Sequence, residues 1–181
     1  PAEYSLGAVV PQFDLAARAM ILRPKLVICD EAVSALDVSI QAQIIDLLIG
    51  LQRDFDLSMM FISHDLSVVR EVSHRVMVLY LGRVVEVADR QAIYEDARHP
   101  YTKALISAVP IPDPRIEKTR ERLKLQGDLP SPLDSRASLR FMKSKLIDDP
   151  DAEQYRPELI EVAPGHWVAE HDPIEAVVEP A

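Results

Sequence analysis

An apolar run, Leu26-Val27-Ile28-Cys29, leads directly into two adjacent carboxylates, Asp30 and Glu31. Such a run reads as a buried strand, and in a parallel α/β sheet ligands gather at the carboxyl ends of the strands. Phosphoryl transfer to water uses two groups of this kind, one to hold Mg²⁺ through water and one to orient or deprotonate the attacking water. Asp30 fits the first role and Glu31 the second. Ser34 and Asp37 follow at once, and Ser63-His64-Asp65 closes a second apolar run, Ser58 to Ile62. That order places an imidazole beside the end of the first strand, where it can contact a terminal phosphate or its attacking water. Taken singly, each feature has a plainer reading. Asp-Glu marks a strand entering a turn, Ser34 and Asp37 cap the following helix, and His64 is an ordinary strand-end residue.

The elements that must position these groups are legible from periodicity. Ile40, Ile44, Leu47, Leu48 and Leu51 recur at helical spacing between the two strand-like runs, so the segment reads as strand, crossover helix, strand. A short helix is expected near Leu66 to Val72. From Arg75 to Val87 two strands hinge at Leu81-Gly82, a hairpin expected at the end of the same sheet. Two more short helices are expected at Gln91 to Asp96 and Tyr101 to Ala108, before Pro110, Pro112 and Pro114 forbid further helix. A domain boundary is placed there, giving 1–109 and 110–181. Most of the prolines fall from Pro100 onward and the last stretch is acidic, so the tail is expected to be rich in loops.

Composition narrows the class. The 181 residues are 48% hydrophobic, without a run approaching the roughly 20 apolar residues of a spanning helix and without a signal-peptide pattern near Pro1. A cytoplasmic chain with no direct membrane insertion is the expectation. Cys29 is the single cysteine, which excludes an internal disulfide and a cysteine metal cluster. A formal net charge of -9 argues against a nucleic-acid partner. The basic residues from Arg115 to Lys124 and from Arg136 to Lys145 lack interleaved aromatics and read as solvated faces.

In combination, LVICDE, SALD and SHD resemble the Walker B segment, D-loop and H-loop of the ATP-binding cassette ATPases. The stretch from Asp30 to Glu86 is similar to the oligopeptide and dipeptide importer branch of that family. HPYTKALISAVPIPDP, GDLPSPLD and APGHWVA are similar to the C-terminal extension of those subunits. The resemblance implies an α/β fold, a partial P-loop NTPase sheet of the ABC type with flanking helices, plus a loop-rich C-terminal extension. It implies ATP and Mg²⁺ as the family's cofactors, Glu31 and His64 as catalytic residues, and Asp30 holding Mg²⁺ through water. Nucleotide contacts are implied for Asp30, Ser34 and Asp37, and for Ser5 and Gly7 in the signature-like Tyr4-Ser5-Leu6-Gly7-Ala8. The implied partners are a second ATP-binding subunit and transmembrane permease subunits, with the assembly peripheral on the inner face of the cell membrane.

The chain also departs from the pattern. No GxxxxGK[ST] occurs around any of its five glycines, so the cradle and lysine for the β- and γ-phosphates are missing from these residues. Leu6 and Ala8 stand where the signature has glycine and glutamine, Pro11 falls in an apparent insertion, and Ala32 replaces a proline after the carboxylates. The cysteines that ligate an iron-sulfur cluster in some relatives have no counterpart, and Cys29 reads as a small buried hydrophobe, so no cluster is expected. His99, His166 and Trp167 are expected to serve structure. The resulting expectation is a truncated ATP-binding subunit of a peptide importer that binds nucleotide weakly at most and does not hydrolyse ATP alone. The alternatives are a non-catalytic interaction protein that binds a full-length subunit or a permease, and a decayed gene product.

Overall fold

The computed structural model describes residues 17–34, 36–110, 115, 121–125, 131, 137–142, 144, 155–173 and 177–180. Its contacts divide the chain into two units, Pro1–Val72 and Ser73–Ala181.

In the first unit β1 (Leu26–Asp30) and β2 (Ser58–Ile62) pair in parallel, with Leu26 opposite Ser58 and Asp30 opposite Ile62. The crossover is α1 (Val38–Asp54), and α2 (Leu66–Val72) follows β2. Helix α1 starts where it does because the Asp37 carboxylate accepts from the amides of Ser39 and Ile40, two donors that a helix N-terminus otherwise leaves without partners. Its stripe buries Ile44, Ile45 and Leu48, with Ile40 packed alongside. These side chains meet Cys29, Val33 and Val68, and Val27, Met59 and Phe61 close the cluster from the sheet. Burial pushes the Cys29 thiol above its ordinary pKa, so it stays a neutral packing group. The alternate strand residues tell the opposite story: Leu26, Ile28, Met60 and Ile62 are 52, 60, 53 and 46% exposed. Parallel strands ordinarily bury both faces, and here one apolar face is open.

In the second unit β3 (Arg75–Tyr80) and β4 (Arg83–Asp89) form a hairpin. Leu81 and Gly82 both have positive φ, +47° and +74°, the pattern of a type I′ turn whose twist matches the strands. The hairpin does not extend the parallel sheet as the sequence suggested. It belongs to a separate four-stranded antiparallel sheet, β3-β4-β7-β6, completed by β6 (Leu159–Ala163) and β7 (His166–Ala169). The free edge of β4 takes β7, with Glu86 opposite Val168 and Val87 opposite Trp167. The loop-rich expectation for the tail is corrected over these same residues. Strand-forming side chains flank Pro164-Gly165, and Gly165 supplies the left-handed turn at φ +73°. Strands β5 (Glu121–Lys124) and β8 (Val177–Pro180) form a further antiparallel pair.

Helices α3 (Arg90–Glu95) and α4 (Pro100–Ala108) lie between the strands in sequence. The tripeptide His99-Pro100-Tyr101 builds the start of α4. His99 is the N-cap, its Nδ1 accepting from the Tyr101 amide at 3.2 Å, and Pro100 occupies the first turn, where its missing N–H costs nothing. The Tyr101 ring stacks obliquely on Tyr80 with centroids 4.8 Å apart. The helix ends at Ala108, two residues before Pro110.

Glu86, fully buried, ties this unit together. Its Oε1 accepts from the Arg98 amide at 2.7 Å and lies 2.7 Å from His166 Nε2, while its Oε2 accepts from the His99 amide at 3.0 Å. One carboxylate thereby joins β4, the turn that starts α4, and β7. A buried charge persists only when its lone pairs are met in this way. His99 and His166 do serve structure, as expected, each buried and each bonded to a named neighbour. Among the described residues no helix is long and apolar enough to cross a membrane.

Candidate active site

Because β1 and β2 run parallel, their carboxyl ends share one edge, and the two chemistry-bearing segments emerge there together. Asp30 is the last residue of β1. Glu31 steps off the strand with φ +46°, a left-handed conformation uncommon for a residue with a side chain. Its amide donates to the Ile62 carbonyl at 2.9 Å, which locks the turn to the end of β2. The Ser34 amide and hydroxyl both donate to the Glu31 carbonyl, at 3.2 and 3.0 Å. The left-handed backbone at Glu31 is thus held by three hydrogen bonds, one that it donates to the end of β2 and two that it accepts from Ser34.

The consequence is a direct contact. His64 Nδ1 lies 3.1 Å from Glu31 Oε1, with both side chains largely open to solvent, at 73 and 55% exposure. His64 is itself placed by the turn that follows β2. There the Asp65 amide donates to Ser63 Oγ, and the Asp65 carboxylate accepts from the amides of Ser67 and Val68 to start α2. Gln41 on α1 reaches Asp65 Oδ2 at 3.5 Å, which links the crossover helix to this turn.

The other candidates are placed differently. Asp37 is occupied as the cap of α1, and also accepts from the Ser39 hydroxyl at 2.7 Å. That hydroxyl first, then the Ile40 amide, holds its carboxyl below the ordinary value. Ser34 is spent on the Glu31 turn. Asp30 is paired through its backbone with β2, and its carboxylate makes no hydrogen bond among the described residues. Ser5, Gly7 and the rest of the signature-like segment lie outside the described residues, as does Ala35.

What the edge can do follows from this inventory. A carboxylate held beside an imidazole can orient a water molecule and accept its proton. A neighbouring carboxylate can hold a hydrated cation, yet Mg²⁺ requires octahedral oxygen coordination and Asp30 offers only part of it. Among the described residues no three His, Cys, Asp or Glu side chains converge on a metal position. The residues present therefore do not amount to a complete Mg²⁺ or phosphate site, and the 181-residue sequence supplies no phosphate-binding loop.

Residues 85–143 match the family described as Oligopeptide/dipeptide transporter, C-terminal region. Over 153 residues the chain is 48% identical to the oligopeptide transport ATP-binding protein OppF of Haemophilus influenzae, covering 84% of this chain and 46% of that protein. It is 53% identical over 143 residues to OppF of Salmonella typhimurium, covering 79% of this chain and 43% of the relative. To the glutathione import ATP-binding protein GsiA of Pectobacterium atrosepticum it is 48% identical over 155 residues, covering 86% of this chain and 22% of the relative. The chain thus spans less than half the length of these curated relatives. With its strand-end carboxylates, its His99-Pro100-Tyr101 helix start and this level of identity, the chain matches the C-terminal region of the oligopeptide/dipeptide ABC-importer ATP-binding proteins.

Proposed function

We propose that this chain carries the hydrolytic edge of an ATP-binding subunit in a peptide-type ABC importer. The observation that supports it most is the 3.1 Å contact between Glu31 and His64 at the shared end of two parallel strands. On this reading residues 1–109 are the C-terminal part of an ABC-type P-loop nucleotide-binding domain, with LVICDE as its Walker B segment, SALD as its D-loop and SHD as its H-loop. Residues 110–181 are the importer-type extension.

ATP with Mg²⁺ supplies the group transferred to water. Glu31 orients the attacking water and accepts its proton, and His64 holds the Glu31 carboxylate in place. Asp30 would hold a hydrated Mg²⁺ together with groups that these residues do not supply, and Ser34 and Asp37 would shape the turn from which a partner subunit's nucleotide is approached. Ser5 and Gly7 belong to the signature segment that faces that nucleotide. The partners are a second ATP-binding subunit and transmembrane permeases, which hold the chain at the inner face of the cell membrane.

Catalysis of this kind depends on positioning the phosphates, and these 181 residues contain no GxxxxGK[ST] loop to cradle them. The chain alone is therefore inert, and activity returns only in the presence of a P-loop-containing fragment. Reconstitution with an N-terminal fragment of a related subunit tests the reading. Steady ATP turnover is expected for the mixture, and Glu31→Gln should lower it by about 100-fold or more. Turnover that is indifferent to Glu31, or none with any such fragment while the fragment still binds nucleotide, would remove it.

A further inference from the structure

Outside the candidate active site, the second unit forms a half-open cavity of about 320 Å³ lined by Tyr80, Arg83, His99, Phe141, Leu159 and Glu170 among others. That volume is at the lower end of the range of small-molecule sites. One wall is aromatic. Phe141 meets Tyr80 edge-on with centroids 5.1 Å apart and His99 edge-on at 4.9 Å.

The polar groups along this wall share one character. The Tyr80 side chain is buried and its hydroxyl has no hydrogen-bond partner among the described residues. Arg83 makes no ion pair or side-chain hydrogen bond among the described residues. His99 accepts the Tyr101 amide at Nδ1, and burial, reinforced by His171, lowers its pKa to about 3, so the neutral ring carries its proton at Nε2. That N–H also has no partner among the described residues. The three groups are donors. Native proteins rarely leave a buried donor such as the Tyr80 hydroxyl unmet, and with the partly exposed Arg83 and the His99 N–H beside it the cavity presents donors suited to an acceptor. Glu170 also lines the space, but its Oε2 already accepts from the Tyr155 hydroxyl and the Glu158 amide.

We propose that this cavity binds a small carboxylate with an aromatic body, the carboxylate taken by Arg83 and the Tyr80 and His99 donors and the ring lying on Phe141. The lining is separate from Asp30, Glu31 and His64, so the cavity would take a ligand of its own.

Calorimetric titration of the full chain with 3-phenylpropionate tests the assignment, alongside 3-phenylpropan-1-ol and phenethylamine as neutral and cationic matches in size. Saturable binding of the carboxylate at about 1 mM or tighter is expected, with the alcohol and the amine at least about tenfold weaker. Arg83→Gln, at a partly exposed position, should leave the fold intact and reduce carboxylate binding to the level of the alcohol. The His99 imidazole nitrogen signals should move on addition of ligand in the wild-type chain and not in Arg83→Gln. Absence of saturation at that concentration, equal binding of the alcohol, preference for the amine, or full affinity in a folded Arg83→Gln chain would each overturn the proposal.

Discussion

Two glutamate-histidine pairs among the described residues have similar length and opposite setting. Glu31 and His64 lie 3.1 Å apart at 55 and 73% exposure, whereas Glu86 and His166 lie 2.7 Å apart at 0 and 6%. The first pair has no further side-chain partners among the described residues, and its glutamate sits on a strained left-handed backbone. The second meets two backbone amides as well, and its glutamate sits within β4, beside a break in the β3–β4 register. Water screens the open pair, so it contributes little to folding and is free to serve a ligand. Desolvation makes the closed pair stabilising only as a complete set, and costly once one member is lost. The same two side-chain types occur in two settings, separated by access to solvent.

Breaking the closed pair should have the largest effect. Glu86→Ala strands two amides and His166 in the interior, and a loss of about 3–5 kcal/mol in denaturant unfolding of the second unit is expected. A loss below about 1 kcal/mol would mean that water or rearrangement replaces the carboxylate, and the contrast would collapse. His166→Ala leaves Glu86 with its two amides, and a smaller loss of about 2 kcal/mol is expected in the same measurement.

The third prediction concerns pH. His99 is held to about 3 against an ordinary 6.5, by burial first and by His171 second. Its folded-state pKa is depressed, so the folded chain takes up its proton more reluctantly than the unfolded one. The stability it supports is complete above pH 6.5 and drains away as pH falls from there toward 3. Protonation would also remove the acceptor that caps α4. His99→Asn keeps a capping acceptor without the titration, and unfolding followed between pH 6.5 and 5, above most carboxylate titrations, should show a flatter slope in this variant.

The open pair closes the series. Glu31→Gly relieves the left-handed backbone and should raise stability by about 1 kcal/mol, while Glu31→Gln should change it by no more than about 0.5 kcal/mol. A large loss in Glu31→Gln would show that the exposed contact supports the fold, and the two pairs would no longer differ in kind.

Much of this contrast could be read in advance on one side only. Local periodicity specifies β1, α1, β2 and α2, and a parallel unit necessarily brings the ends of its strands together, so the meeting of Glu31 and His64 follows from sequence order. Asp37 as a helix cap was also legible, since an aspartate before an apolar-periodic segment has that use. The closed pair was not. Glu86 stands within a strand whose neighbours, Val85 and Val87, give no sign of a polar partner, and His166 lies 80 residues further on. Long-range pairing of β4 with β7 leaves no local pattern to find. The β6–β7 hairpin did leave one, Pro164-Gly165 between strand formers, outweighed by the prolines and acidic residues around it. Positive φ at Leu81 was invisible for a different reason: only the geometry of a two-residue turn asks it of leucine.

The open face of β1 and β2 has a practical consequence. Leu26, Ile28, Met60 and Ile62 present neighbouring aliphatic and thioether surface to water, and such patches govern how a protein behaves as a colloid. Salting-out ions should precipitate this chain early, as they strengthen the burial of greasy surface. One charged substitution at Ile28 should extend the concentration at which it stays in solution without disturbing the core on the other side of the strand.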